Sequence, residues 1–99
     1  MAAELIVAPE AEQDLFEAYA WYESQRLGLG EDFLGCVDAG IEALRRTPEM
    51  CPEVYESYRR ALVRRFPYAV FYEFNQDTVT VYSVFHTSQD PEKWIRRLP

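Results

Sequence analysis

The sequence predicts an α+β domain in which a helical hairpin packs on one face of a small, mostly antiparallel sheet, in the order β-α-α-β-β-β with a short C-terminal helix. Three observations predict it. Apolar residues recur at helical spacing through two segments before residue 47, the period becomes two after residue 57, and glycine or proline punctuates each change. Ninety-nine residues, 48% hydrophobic and 15% aromatic, suffice for one compact core, so a single domain over 1–99 is expected.

Glu4 to Val7 is long enough for one strand, and Ala8-Pro9 ends it. Pro9 then opens a helix, with Glu10, Glu12 and Asp14 supplying the negative charge that a helix N-terminus favours. Ala11, Leu15, Ala18, Tyr19 and Tyr22 line one face of it, to about Arg26. Gly28 and Gly30 connect to a second helix with Glu31 and Asp32 in its first turn, an apolar stripe of Phe33, Val37, Ile41 and Leu44, and Arg45-Arg46 near its end. Thr47-Pro48 stops it. The proline-bounded segment TPEMCPEVYES reads as a loop.

Beyond it, Tyr58 to Phe66, Ala69 to Phe74 and Thr78 to His86 read as a meander of three strands. Unbroken alternation in the last places Val79, Val81, Ser83 and Phe85 under the helices, and Thr80, Tyr82, Val84 and His86 on the opposite, open face. Asp90-Pro91 starts the terminal helix with Trp94, Ile95 and Leu98.

The charge is divided. Residues 1–56 carry 13 acidic against three basic side chains, a net of −10, whereas residues 57–99 carry four acidic against seven basic, a net of +3. An anionic partner would therefore meet the C-terminal part. No apolar stretch is long enough to cross a bilayer or serve as a signal peptide, so a soluble, cytoplasmic protein without membrane contact is expected. Cys36 and Cys51 have no metal-ligand spacing and read as free thiols, and Gly28-Leu29-Gly30 is a connector rather than a phosphate loop. No cofactor and no metal is expected.

YRRALVRRF carries four arginines in nine residues. Alternation sends Arg60 and Arg64 to one face and Arg59 and Arg65 to the other, where guanidinium groups suit bidentate recognition of carboxylate or phosphate; cations on an exposed strand also discourage aggregation. A metal-free ribonuclease needs a base, an acid and a cation against the developing phosphorane charge. His86, Tyr72 or Tyr82, and one of these arginines are the candidates.

The element order, with GLGEDF, RRFPYAVFY and VFHTSQDPEKW, resembles the ParE/RelE toxin superfamily over nearly the whole chain. The resemblance implies the growth-inhibiting toxin of a type II toxin–antitoxin module of the plasmid-stabilisation kind, neutralised by a small antitoxin whose C-terminal segment wraps it. ParE-like members inhibit DNA gyrase; RelE-like members cleave mRNA on the ribosome. This chain has Gln89 where many relatives carry Arg, and lacks the late Tyr and the lysine cluster of the ribosome-dependent nucleases. The first reading is therefore a ParE-like inhibitor that contacts its target or antitoxin through Arg60, Arg64, Arg65, Tyr82, His86, Gln89 and Trp94. The second is a RelE-like endoribonuclease using His86, Arg64 and Tyr72. The third is an attenuated member acting as an interaction protein, in which Gln89→Arg restores toxicity. Direct DNA contact is not expected without the antitoxin, and the hairpin's exposed aromatics could pair two copies.

Overall fold

A computed structural model describes residues 2–96 and 98. Strand β1 (Glu4–Val7) leads into helices α1 (Pro9–Gln25) and α2 (Leu29–Arg46), then strands β2 (Glu53–Tyr55), β3 (Tyr58–Leu62), β4 (Tyr68–Asn75) and β5 (Thr78–His86), and helix α3 (Pro91–Ile95). One sheet has the order β1-β5-β4-β3-β2, with β1 parallel to β5 and the other neighbours antiparallel. No helix among the described residues is long and apolar enough to cross a membrane.

The hairpin is closed by local chemistry. α1 ends where Arg26 turns extended, and Gly28, at φ 89°, adopts the left-handed backbone that starts α2. The Glu23 carboxylate then accepts the N–H groups of Gly28 and Gly30, each at 3.0 Å, so a side chain of α1 caps the positive end of α2. A reciprocal tie holds the other end of α2 to β1: Ala3 N–H donates to the Arg45 carbonyl, and Arg45 Nε donates to the Ala3 carbonyl, both at 2.8 Å.

Phe33, Val37, Ile41 and Leu44 of α2 and Ala11, Ala18 and Tyr22 of α1 pack on Val70, Tyr72, Val79, Val81 and Val84 of the sheet. Each fully buried large side chain contributes roughly 1.5–3 kcal/mol by leaving water. Tyr22, Phe33, Phe66 and Tyr68 pack as an aromatic group with ring centroids 5.0–6.0 Å apart. On the opposite face a smaller core forms where Trp94 of α3 stacks on Phe71 at 4.2 Å, beside Ala69, Phe85 and Val54.

Three expectations need correction. The segment read wholly as a loop contains β2, an edge strand whose pairing with β3 is irregular between Glu53 and Tyr55. Strand β3 stops at Leu62 rather than Phe66: Val63 N–H donates to the Tyr68 carbonyl across a tight turn, and Arg65 is left-handed at φ 72°. Arg64 and Arg65 therefore leave from a turn, and Arg60 and Arg64 are not a same-face pair. Finally, Phe71 pairs with Ser83 and Tyr72 with Val81, so Tyr82 is an extra residue in β5. This bulge inverts the alternation beyond it, bringing Val84 and His86 to the helix side and turning Ser83 and Phe85 to the other face.

A Cβ on Gly30 would lie 2.8 Å from the Tyr19 carbonyl oxygen and 2.7 Å from its ring, whereas one on Gly35 meets open space. Gly30→Ala should lower stability by about 1–3 kcal/mol through overpacking. Gly35→Ala should raise it by about 0.5–1 kcal/mol through helix propensity. Urea unfolding of both variants checks this, with the midpoint moving in opposite directions.

Candidate functional site

On the face away from the hairpin, Arg60 is exposed in β3 and makes no ion pair among the described residues. Tyr82, on this face as alternation predicts, donates to Glu73 Oε1 at 3.3 Å and meets the Tyr58 ring edge-on at 5.5 Å. Ser57 Oγ also donates to Glu73, at 2.8 Å. Burial first, and the Glu73 charge second, push the Tyr82 and Tyr58 phenols above their ordinary value. Both therefore act as neutral hydrogen-bonding groups. Trp94 is buried against Phe71 and supports this face through its ring stacking.

Tyr72 lies on the other face and is fully buried, its hydroxyl donating to the Pro48 carbonyl at 2.8 Å. Burial pushes its phenol far up, the Cys51 thiol adds to the rise, and the Arg59 charge offsets part of it. Arg59 is itself committed, donating to the carbonyls of Cys51 (2.6 Å) and Glu49 (3.2 Å). These two side chains hold the loop after α2 against the sheet.

Arg64 and Arg65 rim an apolar groove of about 470 Å³ between α2 and β3. Its α2 wall is built from small residues, Gly35, Ala39 and Ala43, and its other wall includes Met50 and Leu62, the latter 65% exposed. The Arg65 guanidinium lies 5.8 Å from the Phe66 ring centroid.

His86 lies elsewhere again, in a cleft with Asp14, Glu17 and Trp21 of α1, Tyr68 and Gln89. Its ring meets Tyr68 edge-on at 5.3 Å, and its Nδ1 accepts the Ser88 N–H at 3.0 Å. The neutral ring therefore carries its proton on Nε2. Asp14 reaches across to accept the Val84 N–H at 3.0 Å. Gln89 is exposed in the turn that follows, its N–H donating to the His86 carbonyl at 3.1 Å.

The sequence candidates are thus distributed over three surfaces. Arg60, Tyr82 and Trp94 belong to the open face, Arg64 and Arg65 to the α2 groove, and His86 and Gln89 to the α1 cleft, with Tyr72 inside the core. No surface unites the base, acid and cation of the ribonuclease scheme. Sequence reasoning missed Asp14, Glu17, Trp21 and Tyr68 as neighbours of His86, because the bulge that joins them has no local signature. The repeat of Asp14, Ala18 and Trp21 at i, i+4, i+7 was the available hint. Among the described residues no group of three His, Cys, Asp or Glu side chains could hold a metal ion.

Because Tyr72 stays protonated when folded, stability linked to it is fully present below pH 10, the ordinary phenol value, and is lost as pH rises above it. Tyr72→Phe should cost about 1 kcal/mol at neutral pH, from the lost hydrogen bond to Pro48. It should also flatten the alkaline fall in stability by the share of one proton. Urea unfolding from pH 8 to 11 tests both effects, and an unchanged alkaline slope would contradict the assignment.

Residues 5–91 match the family described as the ParE toxin of the type II toxin–antitoxin system, parDE. The fold is similar to a solved chain of the chromosomal ParDE TA system from P. aeruginosa, with a TM-score of 0.78 at 12% identity, covering 88% of this chain and 98% of that one. It is also similar to a chain of the toxin–antitoxin complex RelBE2 from Mycobacterium tuberculosis, with a TM-score of 0.64 at 18% identity, covering 87% and 99%. No curated protein matches the sequence. With the family match spanning most of the chain, this chain belongs to the ParE toxin family of type II toxin–antitoxin systems.

Proposed function

We propose that the chain inhibits growth by binding a cellular protein, with DNA gyrase as the first target to test, and that a cognate antitoxin silences it. The observation that carries this reading is the dispersal of the nuclease candidates: Tyr72 is fully buried and bonded to Pro48, His86 lines the α1 cleft, and Arg64 rims the α2 groove. A net charge of −7 further disfavours docking on RNA, where affinity derives largely from Lys and Arg.

The antitoxin contact has a suitable surface in the α2 groove. Small residues on one wall let a partner backbone approach closely, Leu62 and Met50 offer apolar area, and Arg64 and Arg65 offer cations to an acidic segment. That the two solved relatives come from a toxin–antitoxin system and a toxin–antitoxin complex supports such a partner.

Induction of this chain alone should stop growth, and co-expression of a small antitoxin encoded beside it should restore it. Purified protein should block gyrase supercoiling; unaltered supercoiling at stoichiometric excess removes gyrase as the target. In a translating extract mRNA should stay intact. Cleavage abolished by His86→Ala or Arg64→Ala would instead establish the ribosome-dependent endoribonuclease.

A further inference from the structure

We infer that the cleft between the middle of α1 and the end of β5 receives one arginine or lysine side chain of a protein partner. The inference rests on the reading that the chain works by protein contact, and it adds a site and a chemistry to that reading.

The cleft has a volume of about 340 Å³, room for a cationic head and part of its stem. Trp21, Tyr68 and His86 supply aromatic wall, Ala18 and Val84 are buried among its lining, and Asp14, Glu17 and Gln89 provide its polar groups. Trp21 is 57% exposed, a large indole left in water beside two carboxylates. An aromatic face next to a carboxylate is the arrangement that holds a guanidinium or ammonium group, by ring attraction on one side and charge-assisted hydrogen bonds on the other.

The carboxylates are positioned rather than scattered. Asp14 is oriented by the Val84 N–H at 3.0 Å, and Glu17 by the Gln13 side-chain amide at 3.0 Å. Tyr68 and His86 are fixed edge-on at 5.3 Å, and Ser88 holds the imidazole through Nδ1. No lysine or arginine of this chain lines the cleft among the described residues. The net charge of −10 over residues 1–56, which include all of α1 and α2, adds a field that draws cations toward this side.

The test titrates the full chain with a capped Ala-Ala-Arg-Ala-Ala peptide and with the same peptide carrying glutamine instead. Amide resonances of residues 14–21 and 84–89, and the Trp21 indole N–H, report binding. The arginine peptide should give saturable shifts confined to these residues, with a dissociation constant on the order of a millimolar, and the glutamine peptide none. Glu17→Gln and Trp21→Leu should each weaken binding about two- to fivefold, the worth of one exposed charge or ring contact. Gln89→Arg, which supplies a competing cation from within, should weaken it as well. Asp14→Asn should do the same, but it also disturbs the bond to Val84, so the variants at exposed Glu17 and Trp21 decide. Equal shifts from the glutamine peptide, or unchanged affinity in both Glu17→Gln and Trp21→Leu, would overturn the proposal. Tighter binding of putrescine or free arginine than of the capped peptide would also overturn it, by reassigning the cleft to a small cation. Because the readout is binding, it is independent of whether the chain arrests growth or inhibits gyrase.

Discussion

The hydrogen bond from the Val84 N–H to Asp14 is the joint on which both layers depend. Strand β1 runs beside β5 only as far as Val81, where the Ala8 N–H still donates to the Val81 carbonyl, and then Pro9 turns the chain into α1. The next stretch of β5 has lost its neighbour on that edge. A buried unpaired N–H costs about 1–3 kcal/mol, and the carboxylate that α1 sends down offsets this with a charge-assisted bond. Asp14 thus stands in for the strand that left, fixing how α1 sits on β5.

The bulge at Tyr82 works with that joint. It lets one strand serve two cores: Val79, Val81 and Val84 pack under the helices, while Ser83 and Phe85 join the opposite side near Phe71 and Trp94. A regular strand would have left Val84 on the far face and put Ser83 into the main core. Instead Ser83 is fully buried with its hydroxyl unpaired among the described residues, a local cost of the register change. The same register change separates His86 from Tyr82 and so divides the polar side chains between two surfaces.

Much of the fold was legible in the sequence, because periodicity and punctuation agree in its first half. Pro9, Gly28 and Thr47 stand where the helices begin and end, and the Phe33–Leu44 stripe faces the sheet. What escaped has a common physical cause. Alternation in TVTVYSVFH fits two registers, since Tyr82, Ser83 and Val84 suit either face of a half-buried strand. In YRRALVRRF alternation continues past the true end of β3, because the turn at Arg65 adopts positive φ without a glycine to mark it. The candidate residues are therefore grouped differently by the structure: Asp14, Glu17 and Trp21 beside His86 come from α1, 65 to 72 positions earlier in the chain, and only tertiary packing joins them.

The pairing of β1 with β5 also sets an order of events during synthesis. The two helices and their Glu23 cap involve only residues near in sequence and can close as soon as α2 has left the ribosome. The first strand must wait for the fifth, since β5 is its partner in the described sheet and ends at His86. The sheet therefore stays unfinished until β5 has been made, and a product lacking β5 lacks the strand against which β1, β4 and α1 pack. For a toxin of a type II toxin–antitoxin system this makes synthesis through β5 a built-in condition of folding.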